Sequence, residues 1–369
     1  FRQSFRHLNT SMKGAAIPHL DTKALREGFL ALPPLSEQQR IVSKVDELMA
    51  LCDQLESQTE SSLEAHETLV QVLLSTLTDS KTANELNQNW QRVSEHFDTL
   101  FTTEQSIEQL KQTILQLAVM GKLVPQNPND EPANVLLEKI AQEKEQLIKD
   151  KKIKKQKSLP PISDEEKPFE LPKGWSCAYM QDLCSLITDG THQTPKYVDE
   201  GKPFVSAQCV KPFKFMLNKC RYVSEEHYQG YIKNRKPNKG DILLARVGAG
   251  IGEAALIDTD KEFAIYVSTG LLKPFNAAIS SDFLVIWLNS PIGRRYSEVN
   301  TLGKGVSQGN LNLSLIRQFI VELPPIAEQH RIVAKVDEFI ALCDQLKIYI
   351  NDAKTTQLNL TDAIVDSSI

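Results

Sequence analysis

Apolar residues recur at helical spacing in three parts of the chain. Between Ile41 and Leu55 they step by 4, 3, 4 and 3 residues, and the same steps recur from Ile332 to Ile350. A third stretch runs from Trp90 to Leu117 and ends at Gly121, a residue type that commonly ends helices. Because such stripes are the seams along which helices pack together, the pattern predicts long, paired helices. Glu138–Lys157 is predicted as a further, charged helix.

The pattern changes from Leu171 onward, where apolar runs become short and are interrupted by turn residues. We predict a helix at Asp282–Asn289, just before Ser290-Pro291, within a domain made mainly of strands and loops. The predicted strands are Ile242–Val247, Ala254–Ile257, Phe263–Val267 and Leu271–Lys273. The fold class is therefore α+β, with a mixed α/β domain joined to long helices.

A sequence duplication organises the chain. Leu32–Leu55 matches Leu323–Leu346 at 18 of 24 positions, at an offset of 291 residues. The two prolines in each copy stop the preceding strand and allow a helix to begin directly after them. Each copy therefore marks the end of a domain followed by a helix.

Composition excludes several classes of protein. The hydrophobic fraction of 41% is ordinary, and the apolar stretches fall short of a membrane span. The six cysteines form neither a C-x-x-C pair nor a zinc-type cluster with histidine, so we expect reduced thiols. We expect a cytoplasmic protein without membrane contact, metal site, cofactor or catalytic residues. Because the chain begins at Phe1 rather than Met, we also expect that something upstream is missing.

Charge is segregated along the chain more than its net value of −5 suggests. Residues 172–323 carry 18 basic and 14 acidic side chains, whereas residues 36–171 carry 15 and 24. A mildly basic domain beside acidic helices is the polarity expected if only the domain approaches phosphates.

Several motifs occur in a fixed order along the chain. They include both Leu-Pro-Pro-x-x-Glu-Gln helix openings. The others are Leu115–Leu123, Leu171–Trp175, Thr188–His192 with Thr194–Tyr197, and Lys239–Leu243 with the Gly248–Gly252 turn. In this order they resemble a known family, the specificity subunits of type I restriction-modification enzymes.

The resemblance implies two target recognition domains joined by long antiparallel coiled-coil helices. Each domain reads one half of a split site in double-stranded DNA, and the subunit binds methyltransferase and restriction subunits. This chain departs from that pattern at its start, where only the last part of the first recognition domain is expected to remain. The implied domains are residues 1–31, the remnant of the first recognition domain; 32–158, the central helical region; 159–171, a linker; 172–323, the second recognition domain; and 324–369, the distal helical region.

Reading DNA requires side chains that reach base edges and others that hold phosphates. Arg and Lys favour guanine, Asn and Gln favour adenine, and hydroxyl groups commonly bind phosphates. The candidate DNA-binding residues are Thr191, His192, Lys196, Gln208, Lys211, Lys214, Arg246, Lys304, Ser307, Gln308 and Asn310.

Three alternatives remain open at this point. Asp189 followed by Glu200-Gly201-Lys202 has the spacing of a metal-dependent nuclease site. A coiled-coil assembly protein with a protein-binding domain would explain the helices equally well. Two copies of the chain could also pair their helices as a homodimer.

Overall fold

Long helices follow both Pro-Pro pairs, as predicted. In the computed structural model, which describes residues 32–275, 278–302 and 309–367, helix α1 spans Leu35–Asp79. The chain divides into two compact units, Phe1–His66 and Glu67–Ile369. The other helices are α2 (Ala83–Glu95), α3 (Phe97–Leu100), α4 (Glu104–Val119), α5 (Ala133–Lys149), α6 (Met180–Leu183), α7 (Glu225–Ile232), α8 (Ser281–Asn289), α9 (Pro291–Val299), α10 (Leu313–Ile316) and α11 (Ile326–Ser367).

Short strands fill the region from Ser176 to Leu323, again as predicted. The strands are β1 (Ser176–Tyr179), β2 (Cys184–Asp189), β3 (Tyr197–Val198), β4 (Lys202–Val205), β5 (Val210–Lys211), β6 (Lys214–Phe215), β7 (Arg221–Val223), β8 (Ile242–Ala245), β9 (Ala254–Leu256), β10 (Ala264–Ile265), β11 (Thr269–Pro274), β12 (Thr301–Leu302), β13 (Asn310–Leu311) and β14 (Ile320–Leu323). The main sheet has the order β2-β11-β8-β9 with antiparallel neighbours, and a smaller sheet has the order β10-β4-β7-β3.

Helices α4 and α11 pack against each other in antiparallel orientation. Glu104 near the start of α4 pairs with Lys347 at 2.9 Å, and Lys111, further along α4, pairs with Asp344, which is earlier in α11. Beyond the end of α4, Asp130 accepts a bond from Arg331 at 2.6 Å. The apolar seam of α11 is buried at Ile332. The prediction of antiparallel helix pairing is confirmed for this pair.

Two predicted helices differ from those observed. The Trp90–Leu117 stretch is broken into α2, α3 and α4, because α2 ends at Glu95 and Thr103 caps the new helix α4 with its side-chain oxygen. Helix α5 ends at Lys149, not at Lys157. Positive φ at Lys151 ends the helix there, and the following lysines repel one another and offer little apolar surface to bury.

Two buried tryptophan–glutamate bonds hold the strand-rich domain, one to helix α11 and one within the domain itself. Trp175 Nε1 donates to Glu328 at the start of α11 at 3.1 Å, and Trp287 Nε1 in α8 donates to Glu322 in β14 at 2.7 Å. Within the described residues, no helix is both long and apolar enough to cross a membrane.

The buried Glu322 carboxyl makes stability depend on pH. Burial raises the pKa of Glu322 from 4.5 to about 7, and the Trp287 bond opposes this only in part. Because the folded chain holds this proton more tightly than the unfolded chain, the proton adds about 3 kcal/mol to the free energy of unfolding. This contribution is complete below about pH 4.5 and is lost as pH rises through about 7. We expect Glu322→Gln to remove this part of the pH dependence of the unfolding free energy, measured by urea denaturation at pH 5.5 and pH 8.

The exposed Glu226, changed to Gln in the same way, is the matched control. Equal pH dependence in the wild type and Glu322→Gln would show that the buried carboxyl does not titrate in this range.

Candidate nucleic-acid interface

Several polar side chains meet at one edge of the main sheet. In the antiparallel register, Asp189 at the end of β2 and Leu244 near the end of β8 both lie opposite Gly270 at the start of β11. The residues that leave the sheet here are Gly190 after β2 and Arg246 after β8. We call the surface formed by Asp189–His192, Arg246 and Asn310 the sheet-edge face.

Arg246 occupies the centre of this face and is 5% exposed. Its Nη1 donates to Asp189 Oδ2 at 2.5 Å and to the Val267 carbonyl at 3.0 Å, and its Nε donates to the Leu311 carbonyl at 2.8 Å. Its Nη2 lies 3.4 Å from Asn310 Oδ1. One guanidinium group therefore ties the end of β2 to strand β13.

The loop after β2 is held close to the smaller sheet. Gly190 lies so near β10 that a Cβ atom would meet the Ile265 carbonyl oxygen at 2.0 Å, so no larger residue fits without a shift. Arg235 Nη1 donates to the carbonyls of Asp189 at 2.9 Å and Gly190 at 2.7 Å. The backbone that presents His192 is thus fixed from two sides.

Thr191 and His192 differ in exposure. The Thr191 side chain is buried, and its hydroxyl accepts a bond from the Gln193 backbone at 3.2 Å. His192 is exposed, with Nε2 3.3 Å from Asp189 Oδ2. The imidazole therefore stands at the surface of the sheet-edge face, whereas the threonine supports the turn beneath it.

Strands β12 and β13 pair antiparallel, with Thr301 opposite Leu311 and Leu302 opposite Asn310. Asn310 is exposed at the end of this pair. Residues 303–308, which connect the two strands in the sequence, include the candidates Lys304, Ser307 and Gln308; these three lie outside the described residues. Through Asn310 and Leu311, Arg246 holds the base of the segment that carries them.

The remaining candidates lie on other parts of the domain. Lys196 is exposed next to the edge strand β3, and Gln208 is exposed with Nε2 3.4 Å from the Lys219 carbonyl. Lys211 pairs with Glu253, beside the β8–β9 turn, at 3.2 Å. Lys214 lines a cavity of about 740 Å³ between the β5–β6 hairpin, α4 and α11. These four side chains are therefore not gathered on the sheet-edge face.

Sequence reasoning missed three arginines that shape the domain surface. Arg235 holds the loop after β2, and Arg317 Nη2 donates to the Ile187 carbonyl at 2.7 Å. Burial lowers the pKa of Arg317, while Asp189 opposes that shift. Arg221 stacks over the exposed Tyr197 ring at 4.6 Å. Arg235 lies in the basic run Lys233–Lys236, which could have been noticed in the sequence. Arg221 and Arg317 belong to no such run.

The nuclease-like residues are separated by their partners. Asp189 is bound by Arg246, and Lys202 pairs with Glu262 at 2.8 Å. Among the described residues, no three His, Cys, Asp or Glu side chains are grouped as metal ligands would be. The Asp189 carboxylate is thus engaged in a buried ion pair with Arg246.

Comparison with known proteins places this geometry in a family. The family model of the type I restriction modification DNA specificity domain matches residues 2–65 and 172–353. The chain therefore belongs to the type I restriction-modification DNA specificity family.

Two curated relatives share a large part of the sequence. The specificity subunit of the type I restriction enzyme EcoAI of Escherichia coli is 43% identical over 350 residues, which is 92% of this chain and 58% of that protein. The EcoEI specificity subunit of Escherichia coli is 41% identical over 355 residues, with the same coverage of 92% and 58%. The chain thus spans less than two thirds of the length of these relatives.

A solved structure shows the same fold. It comes from work on complex assembly and conformational transition of the type I restriction-modification system, and it aligns with a TM-score of 0.51 at 19% identity. The alignment covers 98% of this chain and 67% of that chain. At this level of identity the likeness concerns the fold alone.

Proposed function

We propose that this chain recognises DNA sequence as a non-catalytic specificity component of a type I restriction-modification system. The observation that carries the proposal is the sheet-edge face, where Arg246 fixes a strand pair against the main sheet in a domain of the specificity family. Exposed His192 and Asn310 lie at this face. A fixed backbone that presents polar side chains is what direct reading of base edges requires.

Within this proposal, Asn310 and Gln308 are suited to adenine and Lys304 to guanine, while Ser307 is suited to phosphate. Lys196 and Lys211 are exposed cations elsewhere on the same domain and are suited to phosphates. Gln208 and Lys214 remain predicted contacts.

Thr191 and Arg246 were predicted as DNA contacts on sequence grounds, and we give both a positioning role instead. Four acceptors on the protein already surround the Arg246 guanidinium. By contrast, bidentate contact with guanine needs a guanidinium group whose N–H donors are not already bound to the protein. Arg246 therefore acts on DNA through the strand pair that it holds.

The partners follow from the family. The names of the relatives describe them as specificity subunits of restriction enzymes, so we propose that this chain binds methyltransferase and restriction subunits in the cytoplasm and contributes one recognised half-site. Association of two copies through their helices remains a prediction, which sedimentation of the pure chain tests.

The phosphate contacts predict a measurable salt effect. In a complex with the methyltransferase subunit, Lys196→Gln and Lys211→Gln are each expected to reduce the slope of log affinity against log salt by about 1. Fluorescence anisotropy of a labelled duplex between 50 and 300 mM KCl, a range of about sixfold in salt, measures the slope.

Lys261→Gln is the matched control, because Lys261 is an exposed lysine in the loop after β9, away from the β8–β9 turn. If all three variants shift the slope equally, the contacts are not localised as proposed. If the wild-type complex ignores DNA while the helices still bind a protein partner, the assembly-protein alternative is the better account.

A further inference from the structure

A cluster of lysines lies at the end of helix α5. Residues 149–157, which we call the lysine segment, contain six of the 15 basic side chains of the acidic region 36–171 and only one carboxylate. The six are Lys149, Lys151, Lys152, Lys154, Lys155 and Lys157, and all of them are exposed. Positive charges this close together repel one another, so a bound anion would relieve that repulsion.

Few of these charges are neutralised within the chain. Lys149 lies 3.9 Å from Glu145 and Lys152 lies 3.6 Å from Asp150, and both pairs are exposed to solvent. Exposed pairs of this kind hold their partners weakly. Across the part of the chain that the structure describes, the lysines that form no ion pair are Lys151, Lys154, Lys155 and Lys157.

The lysine segment is anchored to the protein at both ends. The Ile153 N–H donates to the Leu147 carbonyl at 3.3 Å, so the chain folds back on the last turn of α5. At the other end, Gln181 Nε2 in α6 donates to the Lys157 carbonyl at 3.3 Å. Ile153 and Gln156 are half-buried, whereas the lysines around them are exposed. The segment thus presents its ammonium groups from an anchored backbone.

Stabilisation of the α5 C-terminus accounts for only part of this charge. Cations are favoured near the last turn of a helix by the partial negative charge there, and the effect falls off within that turn. Helix α5 ends at Lys149. Because Lys154, Lys155 and Lys157 lie five to eight residues beyond that end, the helix does not explain them.

The lysine segment and the sheet-edge face are associated with opposite ends of strand β2. The segment is bound to α6, which leads directly into β2 at Cys184, whereas the sheet-edge face begins at Asp189, where β2 ends. Five steps along an antiparallel strand cover about 17 Å, a distance that a DNA duplex covers in about five base pairs. The segment is therefore a second surface, separate from the residues proposed to contact base edges.

We propose that the lysine segment binds the phosphate backbone of duplex DNA outside the sequence that the sheet-edge face recognises. Lysine carries a compact charge on a flexible stem, which suits phosphates and carries no preference for a base. DNA is the polyanion favoured here because the proposed function brings it to the same compact unit, and to that extent the inference rests on the proposed function. The segment then adds affinity without sequence preference.

The salt dependence of DNA binding tests the proposal. The full chain is titrated into a fluorescein-labelled duplex of arbitrary sequence and about 40 base pairs, and fluorescence anisotropy is followed between about 50 and 300 mM KCl. The triple variant Lys154→Gln, Lys155→Gln, Lys157→Gln is expected to reduce the slope of log affinity against log salt by about 3, because each lost phosphate contact contributes about 0.9.

A matched triple variant controls for the change in net charge. It combines Lys81→Gln, Lys173→Gln and Lys261→Gln at three exposed lysines that are far apart in the sequence, and it should leave the slope unchanged. Equal slopes in the two triple variants overturn the proposal, as does a wild-type chain that does not bind the duplex at about 50 mM KCl. A lower urea midpoint with an unchanged slope would show that the lysines serve the fold only. Loss of methyltransferase-subunit binding with an unchanged slope would assign the segment to a protein partner and contradict the proposal.

Selection of bound duplexes from a randomised pool separates this inference from the proposed function. If no sequence is enriched but the slope still falls by about 3, the proposed function fails and the phosphate contact stands. If a sequence is enriched and the slope does not change, only the phosphate contact fails. We expect the wild type and the Lys154, Lys155 and Lys157 triple variant to enrich the same sequence.

Discussion

Arg246→Ala is expected to lower the free energy of unfolding by about 3–5 kcal/mol and to abolish sequence-dependent DNA binding. The change removes one member of a buried ion pair and leaves Asp189 buried without its main partner. It also releases strand β13 from the sheet edge, because the bonds to Leu311 and Asn310 are lost. Chemical denaturation measures the first effect, and anisotropy at a temperature where the variant remains folded measures the second.

Two further variants separate the effect of Arg246 on folding stability from its effect on DNA recognition. His192→Ala removes an exposed side chain of the same face, so its unfolding free energy should change by no more than about 0.5 kcal/mol. The double change Arg246→Leu with Asp189→Leu removes both charges, and it should be more stable than Arg246→Ala. Because β13 would still lack its anchor, the double variant should not recover DNA selectivity. Full selectivity in Arg246→Ala would contradict the positioning role.

Ile332→Ala is expected to destabilise the chain by about 2–5 kcal/mol, whereas Ile41→Ala should cost less than about 1 kcal/mol. The two isoleucines occupy equivalent positions in the duplicated helix opening, but Ile332 is fully buried and Ile41 is about half exposed. The alanine in α11 would leave a cavity in the hydrophobic core. Urea denaturation of both variants and the wild type measures the difference.

Equal destabilisation by the two substitutions would mean that residues near Ile41 are also covered in the isolated chain. A small loss for Ile332→Ala would show that the core packing at the start of α11 contributes little to stability.

The sequence carried much of this architecture in local signals. The helix start after Pro324-Pro325 and the helix at Ser281–Asn289 follow from proline placement and apolar spacing. The strand at Ile242–Ala245 follows from an apolar run bounded by turn residues. Such features are encoded within a few neighbouring residues, and one sequence is enough to find them.

Features that depend on distant partners could not be found in this way. The sequence around Arg246 does not reveal that its carboxylate partner is Asp189, which is 57 residues away. Likewise, Ile41 and Ile332 occupy equivalent positions of the duplication, yet Ile332 is fully buried and Ile41 is about half exposed. The sequence alone therefore does not show which basic side chains are bound within the fold, nor which apolar positions are buried.

Selection of bound duplexes from a randomised pool tests the central claim most directly. The complex of this chain with the methyltransferase subunit that we propose as its partner is incubated with the pool, and bound DNA is recovered and sequenced. The account predicts enrichment of one short sequence, a changed preference at one or a few of its positions in Asn310→Ala, and no change in Asn359→Ala, an exposed asparagine of α11. Recovery of DNA without any enriched sequence, or of the same sequence with the same preference by all three proteins, would contradict the account.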